Sequence, residues 1–226
     1  MDKNIYKSFL ILVVYLSFFK NNGQHMIMAA PTDGFTAVNL VRPNNFQLHK
    51  PYDQPAQNRY SGTTLSPFSY FYEKFWVYST DQPFMQGSPT KPRTEMRISG
   101  YDYTSGVWQF EGHFVVPSGT TGACIFQVFG AGNGQATTLQ LRVYGGNLMI
   151  YNSQTIASNI YGKWFKLNVI HDVGNSRVTI FLDDEQKAVV GGRGPSTFYF
   201  KYGVYAQEGS SNYMQSDWFG IRILRR

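Results

Sequence analysis

The chain has 226 residues and a formal net charge of +6; hydrophobic residues make up 42%, aromatic residues 17% and charged residues only 15%. The apolar fraction is high enough for a packed core, which excludes a disordered chain. The scarcity of charge and the lack of a sequence repeat exclude a coiled coil or a helical solenoid, whereas the abundance of Tyr, Phe and Gly favours strands joined by tight turns.

The N-terminus has the features of a signal peptide. Lys3 and Lys7 precede an unbroken apolar stretch, Ser8–Phe19. This stretch has the length of a signal-peptide core and is too short to cross a bilayer as a helix, which takes about 20 residues. A buried strand or helix is the alternative. We predict that residues 1–23 are a signal peptide and that cleavage falls at residues 23–30.

The remaining residues, 31–226, alternate between strand-like runs and turn signals, and no stretch keeps the 3.6-residue period of an amphipathic helix. Gly145–Gly146 and Gly174–Asn175 are the strongest hairpin signals. About a dozen strands in one chain predict an all-β domain of two stacked antiparallel sheets, a sandwich or jelly roll. The predicted strands are Thr36–Val41, Phe46–Lys50, Phe75–Tyr78, Arg93–Ile98, Val107–Val116, Ala123–Phe129, Thr138–Tyr144, Leu148–Tyr151, Lys163–Val173, Arg177–Leu182, Phe198–Gln207 and Trp218–Leu224.

One predicted strand carries three charged side chains on a single face. Side chains at positions i, i+2 and i+4 share a face of a strand, so Arg93, Glu95 and Arg97 lie together, and Met96 and Ile98 point to the core. Charges in a row are costly unless that face is wet or holds an ion. The strand is therefore either a solvated surface with internal ion pairs or part of a binding site.

Three further strands repeat this polar and aromatic pattern. If the four faces line one sheet, they form a cationic groove in which Arg binds carboxylates and Tyr offers a hydroxyl and a flat face to a sugar ring. Gly203 would leave a gap for a ligand. The aligned residues are Tyr199, Lys201, Tyr205 and Gln207; Gln127 and Phe129; and Gln140, Arg142 and Tyr144.

These segments resemble known families. Residues 93–97 (RTEMR), 127–129 (QVF) and 199–207 (YFKYGVYAQ) resemble the three signature strands of alginate-lyase-type polysaccharide lyases. A closer resemblance, to plant citrate-binding proteins, runs from residue 31 through residue 173 and covers nearly the whole mature chain. The resemblance implies a concanavalin A-like β-jelly roll with a concave binding groove over residues 31–226.

The resemblance also implies residue roles, with one departure. The lyase pattern has His in the second signature strand as the base that abstracts the C5 proton, and here that position is Phe129. Arg93 and Gln127 would neutralise a uronate carboxylate, and Tyr205 would protonate the leaving oxygen. A Tyr flanked by cations can have a lowered pKa, so Tyr205 could serve as both base and acid. The implied ligand-binding residues are Glu95, Arg97, Arg142, Tyr199, Lys201 and Gln207.

Two function classes remain open at this point. The first is an exported binding protein for citrate or an acidic polysaccharide, which Phe129 favours. The second is a lyase that cleaves a polyuronate by β-elimination, which the presence of Gln127, Tyr205 and Arg93 favours. We expect no cofactor, no metal, a monomer, no stable membrane span after removal of the leader, and no nucleic-acid partner, because Lys/Arg runs occur only at the C-terminus. The secretory pathway would lead to the extracellular space, the cell wall or the vacuole.

The remaining candidate side chains have simpler interpretations. His113 is a conceivable substitute base but is more typical of a surface histidine, and His171 alternates with the apolar side as a satisfied core residue would. Cys124 lies alone in an apolar run, which predicts a small buried side chain.

The signal-peptide prediction has a direct test. Mass spectrometry of the protein extracted from its tissue should find an N-terminus at residues 23–30 and recovery without detergent, because the apolar stretch is removed on export. An intact Met1, or recovery with detergent only, would contradict it.

Overall fold

A computed structural model describes residues 30–65 and 70–226. The predicted signal peptide therefore lies outside the described residues. Within these ranges the chain forms strands and one short 3₁₀ turn, Ala56–Asn58, with no α-helix, and no helix is long and apolar enough to cross a membrane. The all-β prediction is confirmed.

The strands form two antiparallel sheets. The strands are β1 (Thr36–Ala37), β2 (Phe46–His49), β3 (Tyr60–Leu65), β4 (Tyr70–Tyr78), β5 (Arg93–Ile98), β6 (Val107–Val115), β7 (Ala123–Phe129), β8 (Thr137–Tyr144), β9 (Asn147–Ile150), β10 (Gln154–Ala157), β11 (Phe165–Asp172), β12 (Arg177–Leu182), β13 (Glu185–Gly191), β14 (Tyr199–Ala206) and β15 (Tyr213–Arg225). The eight-stranded sheet has the order β13-β12-β11-β6-β15-β4-β3, with β1 paired to β15, and the seven-stranded sheet has the order β10-β9-β8-β7-β14-β5-β2.

The core lies between the two sheets and is rich in aromatic rings. Phe110 of β6 meets Phe126 of β7 at 4.7 Å and Phe200 of β14 at 6.0 Å between ring centroids. Such buried side chains stabilise the fold by about 1.5–3 kcal/mol each through loss of water contact. As the alternation predicts, Met96 and Ile98 point into this core, which leaves the alternate side chains of β5 on the opposite face.

A buried carboxylate also joins the two sheets. Glu73 of β4 is fully buried and accepts hydrogen bonds from the Arg42 guanidinium at 3.0 and 2.6 Å, from the Tyr60 hydroxyl at 2.9 Å and from the Tyr202 hydroxyl of β14 at 2.6 Å. Phe46 lies under the same guanidinium, 3.6 Å from its central carbon. Every oxygen of the carboxylate is thereby satisfied, which is the condition for keeping a charge inside a core.

Three observed strands, β3, β10 and β13, were not predicted from the sequence, and all three are sheet edges. An edge strand pairs on one side only and is more exposed, so its residues need not alternate between apolar and polar. The sequences YSGTTL, QTIA and EQKAVVG show this weak patterning. The strands within the sheets lie at the predicted positions, because both neighbours require a consistent buried face, although β4 and β15 begin earlier than predicted, at Tyr70 and Tyr213.

Gly203 lies within β14, where close packing against β5 requires a glycine. Its φ of +132° is unfavourable for residues with a side chain. A Cβ there would lie 2.5 Å from the Thr94 carbonyl oxygen and 2.8 Å from the Glu95 Cα atom. The expectation that this glycine leaves room for a ligand is therefore wrong; the neighbouring strand β5 occupies the space.

Replacing this glycine should destabilise the fold. Gly203→Ala is expected to lower the free energy of unfolding by about 2–5 kcal/mol, because the backbone strain at a positive φ adds to the steric overlap of the new Cβ with β5. Gly191→Ala is the matched control, since a Cβ at the end of β13 meets nothing within 4 Å. Urea unfolding followed by circular dichroism measures both; equal stability of the two variants would contradict the packing argument.

Candidate functional site

The predicted polar side chains lie on one face of the seven-stranded sheet, opposite the core. Arg93 pairs with Tyr205 in the register of β5 and β14, and Arg97 pairs with Lys201. Lys201 in turn pairs with Gln127 of β7. Because paired residues in neighbouring strands share a face, these side chains form one continuous surface, which we call the polar face.

A buried carboxylate lies at the centre of the polar face. Glu95 is 1% exposed and contacts three donors: the Gln127 amide, the Arg93 guanidinium at 3.4 Å and the Lys201 ammonium at 3.6 Å. Burial lowers the pKa of Lys201, with a further contribution from Arg93, and Glu95 opposes that shift. The arrangement therefore places two cations around one carboxylate, which leaves an excess of positive charge.

The hydrogen bonds continue across the sheet to β8. Gln140 donates to the Gln127 side-chain oxygen at 3.2 Å, and Arg142 donates from Nε to the Gln140 side-chain oxygen at 2.8 Å. The Arg142 guanidinium also lies 5.2 Å from the ring centre of Tyr151. Arg142 is thus linked to Glu95 through two glutamine amides, which holds its charge at the outer end of the network.

Two arginines stack on tyrosine rings. The Arg93 guanidinium lies 3.7 Å from the ring centre of Tyr205, and the Arg97 guanidinium lies 4.0 Å from that of Tyr199. Arg97 forms its ion pair with Asp102 and not with Glu95. The continuous Arg93–Glu95–Arg97 ion pair considered for a plain solvated strand is therefore not formed.

Phe129 forms part of an aromatic surface at the position where the lyase pattern has its base. Its ring stacks on Tyr199 with centroids 4.7 Å apart and planes 18° apart. The Lys201 ammonium lies 4.9 Å from the Phe129 ring centre. The side chain cannot accept a proton, and it gives the polar face a flat apolar surface beside a cation.

Gln207 differs from its predicted placement with the other polar groups. It follows the end of β14, and its amide donates to the carbonyl oxygens of Tyr205 at 3.3 Å and Ala206 at 2.9 Å. The side-chain donors are therefore occupied by backbone. The hydroxyl of Tyr205, by contrast, has no hydrogen-bond partner among the described residues.

Sequence reasoning missed His49. It is the last residue of β2 and pairs with Glu95 in the register of β2 and β5, so it belongs to the polar face. Its ring is 8% exposed and stacks on Phe84 at 4.1 Å. Alternation in Phe46–His49 could have indicated this placement, because Phe46 and Leu48 pack on the core.

Three buried nitrogen atoms of the polar face have no hydrogen-bond partner within residues 30–65 and 70–226: Nε of Arg93, Nε of Arg97 and Nδ1 of His49. The two arginine atoms are obligatory donors, because guanidinium has no acceptor. A buried donor without an acceptor costs about 1–3 kcal/mol. The polar face thus contains hydrogen-bond donors that the described residues do not satisfy.

The other candidate side chains lie elsewhere. His113 is on β6 of the eight-stranded sheet, stacked on Phe219 at 4.6 Å, so it cannot replace a base at Phe129. His171 is buried, and its Nδ1 shares a 3.0 Å hydrogen bond with the Tyr103 hydroxyl, as predicted for a satisfied core histidine. Cys124 is fully buried. In the part of the chain that the structure describes, no cluster of His, Cys, Asp or Glu could hold a metal ion.

Comparison with known proteins relates this chain to two groups. A family model described as alginate lyase matches residues 38–225. The citrate-binding protein of Hevea brasiliensis is 51% identical over 215 residues, which is 95% of this chain and 86% of that protein. Alginate lyase AlgAT5 from polysaccharide lyase family 7 has a TM-score of 0.59 at 16% identity, over 79% of this chain and 93% of its own. The alginate lyase from Corynebacterium sp. has a TM-score of 0.60 at 16% identity, over the same shares. These structures establish the fold, a jelly roll.

Neutralising the central carboxylate should destabilise the protein. Glu95→Gln removes the counter-charge of Arg93 and Lys201 and is expected to lower the free energy of unfolding by about 3–5 kcal/mol, as breaking a buried ion pair does. Glu208→Gln is the control, because Glu208 forms an exposed pair with Lys91 and its loss should not be measurable. Urea unfolding of both variants tests this; an unchanged stability of Glu95→Gln would contradict the role of the carboxylate.

Proposed function

Because this chain belongs to the alginate lyase family and has the citrate-binding protein of Hevea brasiliensis as a relative, we propose that it is a binding protein for carboxylate-rich ligands. The ligand would be citrate or an acidic, uronate-bearing saccharide, held on the polar face of the seven-stranded sheet. The polar face would serve as the cationic groove expected from the sequence, and the protein would bind without turnover.

The observation that carries this proposal is the pair of unused arginine donors. Nε of Arg93 and Nε of Arg97 are buried without a partner in the described region, and they lie two residues apart on the same face of β5. A carboxylate accepts two parallel hydrogen bonds from one guanidinium, so a ligand with several carboxylates would satisfy several such donors at once.

The charge on the polar face favours the same ligand class. Arg93, Arg97, Arg142 and Lys201 outnumber the carboxylates of Glu95 and Asp102. Each contact between such a cation and a ligand carboxylate is worth about 1.5–3 kcal/mol. The stacked rings of Phe129 and Tyr199 would provide the apolar surface on which a sugar ring rests.

A lyase is the second candidate, and one observation favours it. The Tyr205 hydroxyl is unpartnered among the described residues and lies beside Arg93, as an acid and base acting on a bound uronate would need. Phe129 opposes this function, because the side chain at the position of the family's base cannot take a proton. The balance favours binding.

Export of residues 31–226 as a monomer, to the extracellular space, the cell wall or the vacuole, remains part of the proposal. The leader is removed in this scheme before the protein meets its ligand. The elution volume of the mature protein in gel filtration would show whether it is a monomer, and fractionation of its tissue would show the compartment.

Loss of an arginine from the polar face should weaken ligand binding. Arg97→Ala is expected to reduce the affinity for citrate by about 1.5–3 kcal/mol, roughly 10- to 150-fold, because one charge-assisted contact is lost. Affinity should also fall as salt is raised. Arg177→Ala on the eight-stranded sheet removes the same charge from an exposed pair and should leave binding unchanged. Isothermal titration calorimetry measures all three proteins.

The same preparation distinguishes the two candidate functions. Wild-type protein incubated with alginate or glucuronan should produce no ultraviolet absorbance from unsaturated uronates. Appearance of that product, and its loss in Tyr205→Phe, would overturn the binding-only proposal in favour of the lyase. Absence of citrate and uronate binding by the wild type would overturn both.

A further inference from the structure

His49 lies where a ligand on the polar face would meet it. Strand β2 is the edge of the seven-stranded sheet and pairs with β5, so His49 is opposite Glu95 and next to the Arg93–Lys201 cluster. The ring is held in place by its stack on Phe84, whose plane is inclined by 17°. The imidazole is therefore a fixed group beside the proposed carboxylate contacts.

The surroundings of His49 are dominated by cations. Lys201 of β14 and Arg93 and Arg97 of β5 oppose a positive charge on the ring, and Glu95 is the carboxylate that favours one. Burial has the largest effect, and together these influences lower the pKa of His49 to about 4. Phe84, which covers the ring, carries no charge. Above that pH the imidazole is neutral, and its buried Nδ1 has no partner among the described residues.

We propose that His49 is a ligand-binding residue that takes up a proton when a polycarboxylate binds to the polar face. This inference rests on the proposed function. Ligand carboxylates would neutralise Arg93, Arg97 and Lys201, which removes the cations' share of the effect that keeps the ring neutral and leaves the share due to burial. They would also supply an acceptor for the ring N–H groups, both of which are donors in the imidazolium form.

The consequence is a binding affinity coupled to pH. A group whose pKa is higher in the complex than in the free protein makes binding stronger as pH falls through the pKa of the complex, and the gain is complete below the pKa of the free protein. With the free value near 4, the protein should hold its ligand more tightly at pH 5.5 than at pH 7.5. The ligand remains ionised enough to bind across this range if it is a uronate or citrate.

Calorimetry tests the proton uptake directly. Citrate is titrated into wild type, His49→Asn and the control His113→Asn at pH 5.5 and 7.5, each in two buffers that differ in ionisation enthalpy. Proton uptake by the ligand itself is common to all three proteins and cancels in their differences. At pH 5.5 the wild type and His113→Asn should take up more protons than His49→Asn, and His49→Asn should bind about 3- to 10-fold more weakly. At pH 7.5 the difference in affinity should shrink.

A second measurement keeps the test independent of the variant's stability. The ring resonances of His49 are followed by NMR in the wild-type protein, and the titration midpoint should move upward when citrate is present. Citrate binding with equal proton uptake in wild type and His49→Asn, or with an unmoved His49 midpoint, would overturn the inference and leave the proposed function intact. Absence of any citrate or uronate binding would overturn the proposed function, and this inference with it.

Discussion

The polar face depends on one constraint, the need to compensate the buried carboxylate of Glu95. A carboxylate removed from water requires both opposite charge and hydrogen bonds, and Arg93, Lys201 and Gln127 supply them from three neighbouring strands. The three partners therefore lie on the same face of the seven-stranded sheet as Glu95. The cations around Glu95 carry more positive charge than this one carboxylate neutralises. This excess of positive charge is the basis of the proposed binding of further carboxylates.

The substitution of a base by Phe129 fits this view of the polar face. A lyase must both hold a carboxylate and remove a proton, whereas a binding protein needs the first property alone. Phe129 leaves the cations of the polar face in place, because its ring packs against Tyr199 and lies near the Lys201 ammonium. The chain shares the jelly roll of the lyases. What differs is the side chain next to the proposed carboxylate contacts, which here cannot accept a proton.

The sequence predicts a strand well where the strand is paired on both sides, because its two neighbouring strands then require one face to be buried. Alternation correctly separated Met96 and Ile98 from Arg93 and Arg97 because one set must face the core. The edge strands β3, β10 and β13 escaped detection, since an edge strand has a neighbour on one side only. The partners of individual side chains were also beyond the pattern: Arg97 pairs with Asp102 in the loop after β5, and Gln207 bonds to the backbone at the end of β14. Such choices depend on register, which shifts near Gly203, and on loops whose course local sequence does not determine.

The contact between Arg42 and Glu73 has a consequence for where the folded domain can begin. Arg42 precedes β2, and its guanidinium supplies two of the hydrogen bonds to a carboxylate that is wholly enclosed between the sheets. A shortened chain that starts after this residue would leave the carboxylate with tyrosine hydroxyls alone and no counter-ion. The smallest fragment that keeps the core intact therefore includes Arg42, although it lies outside every strand.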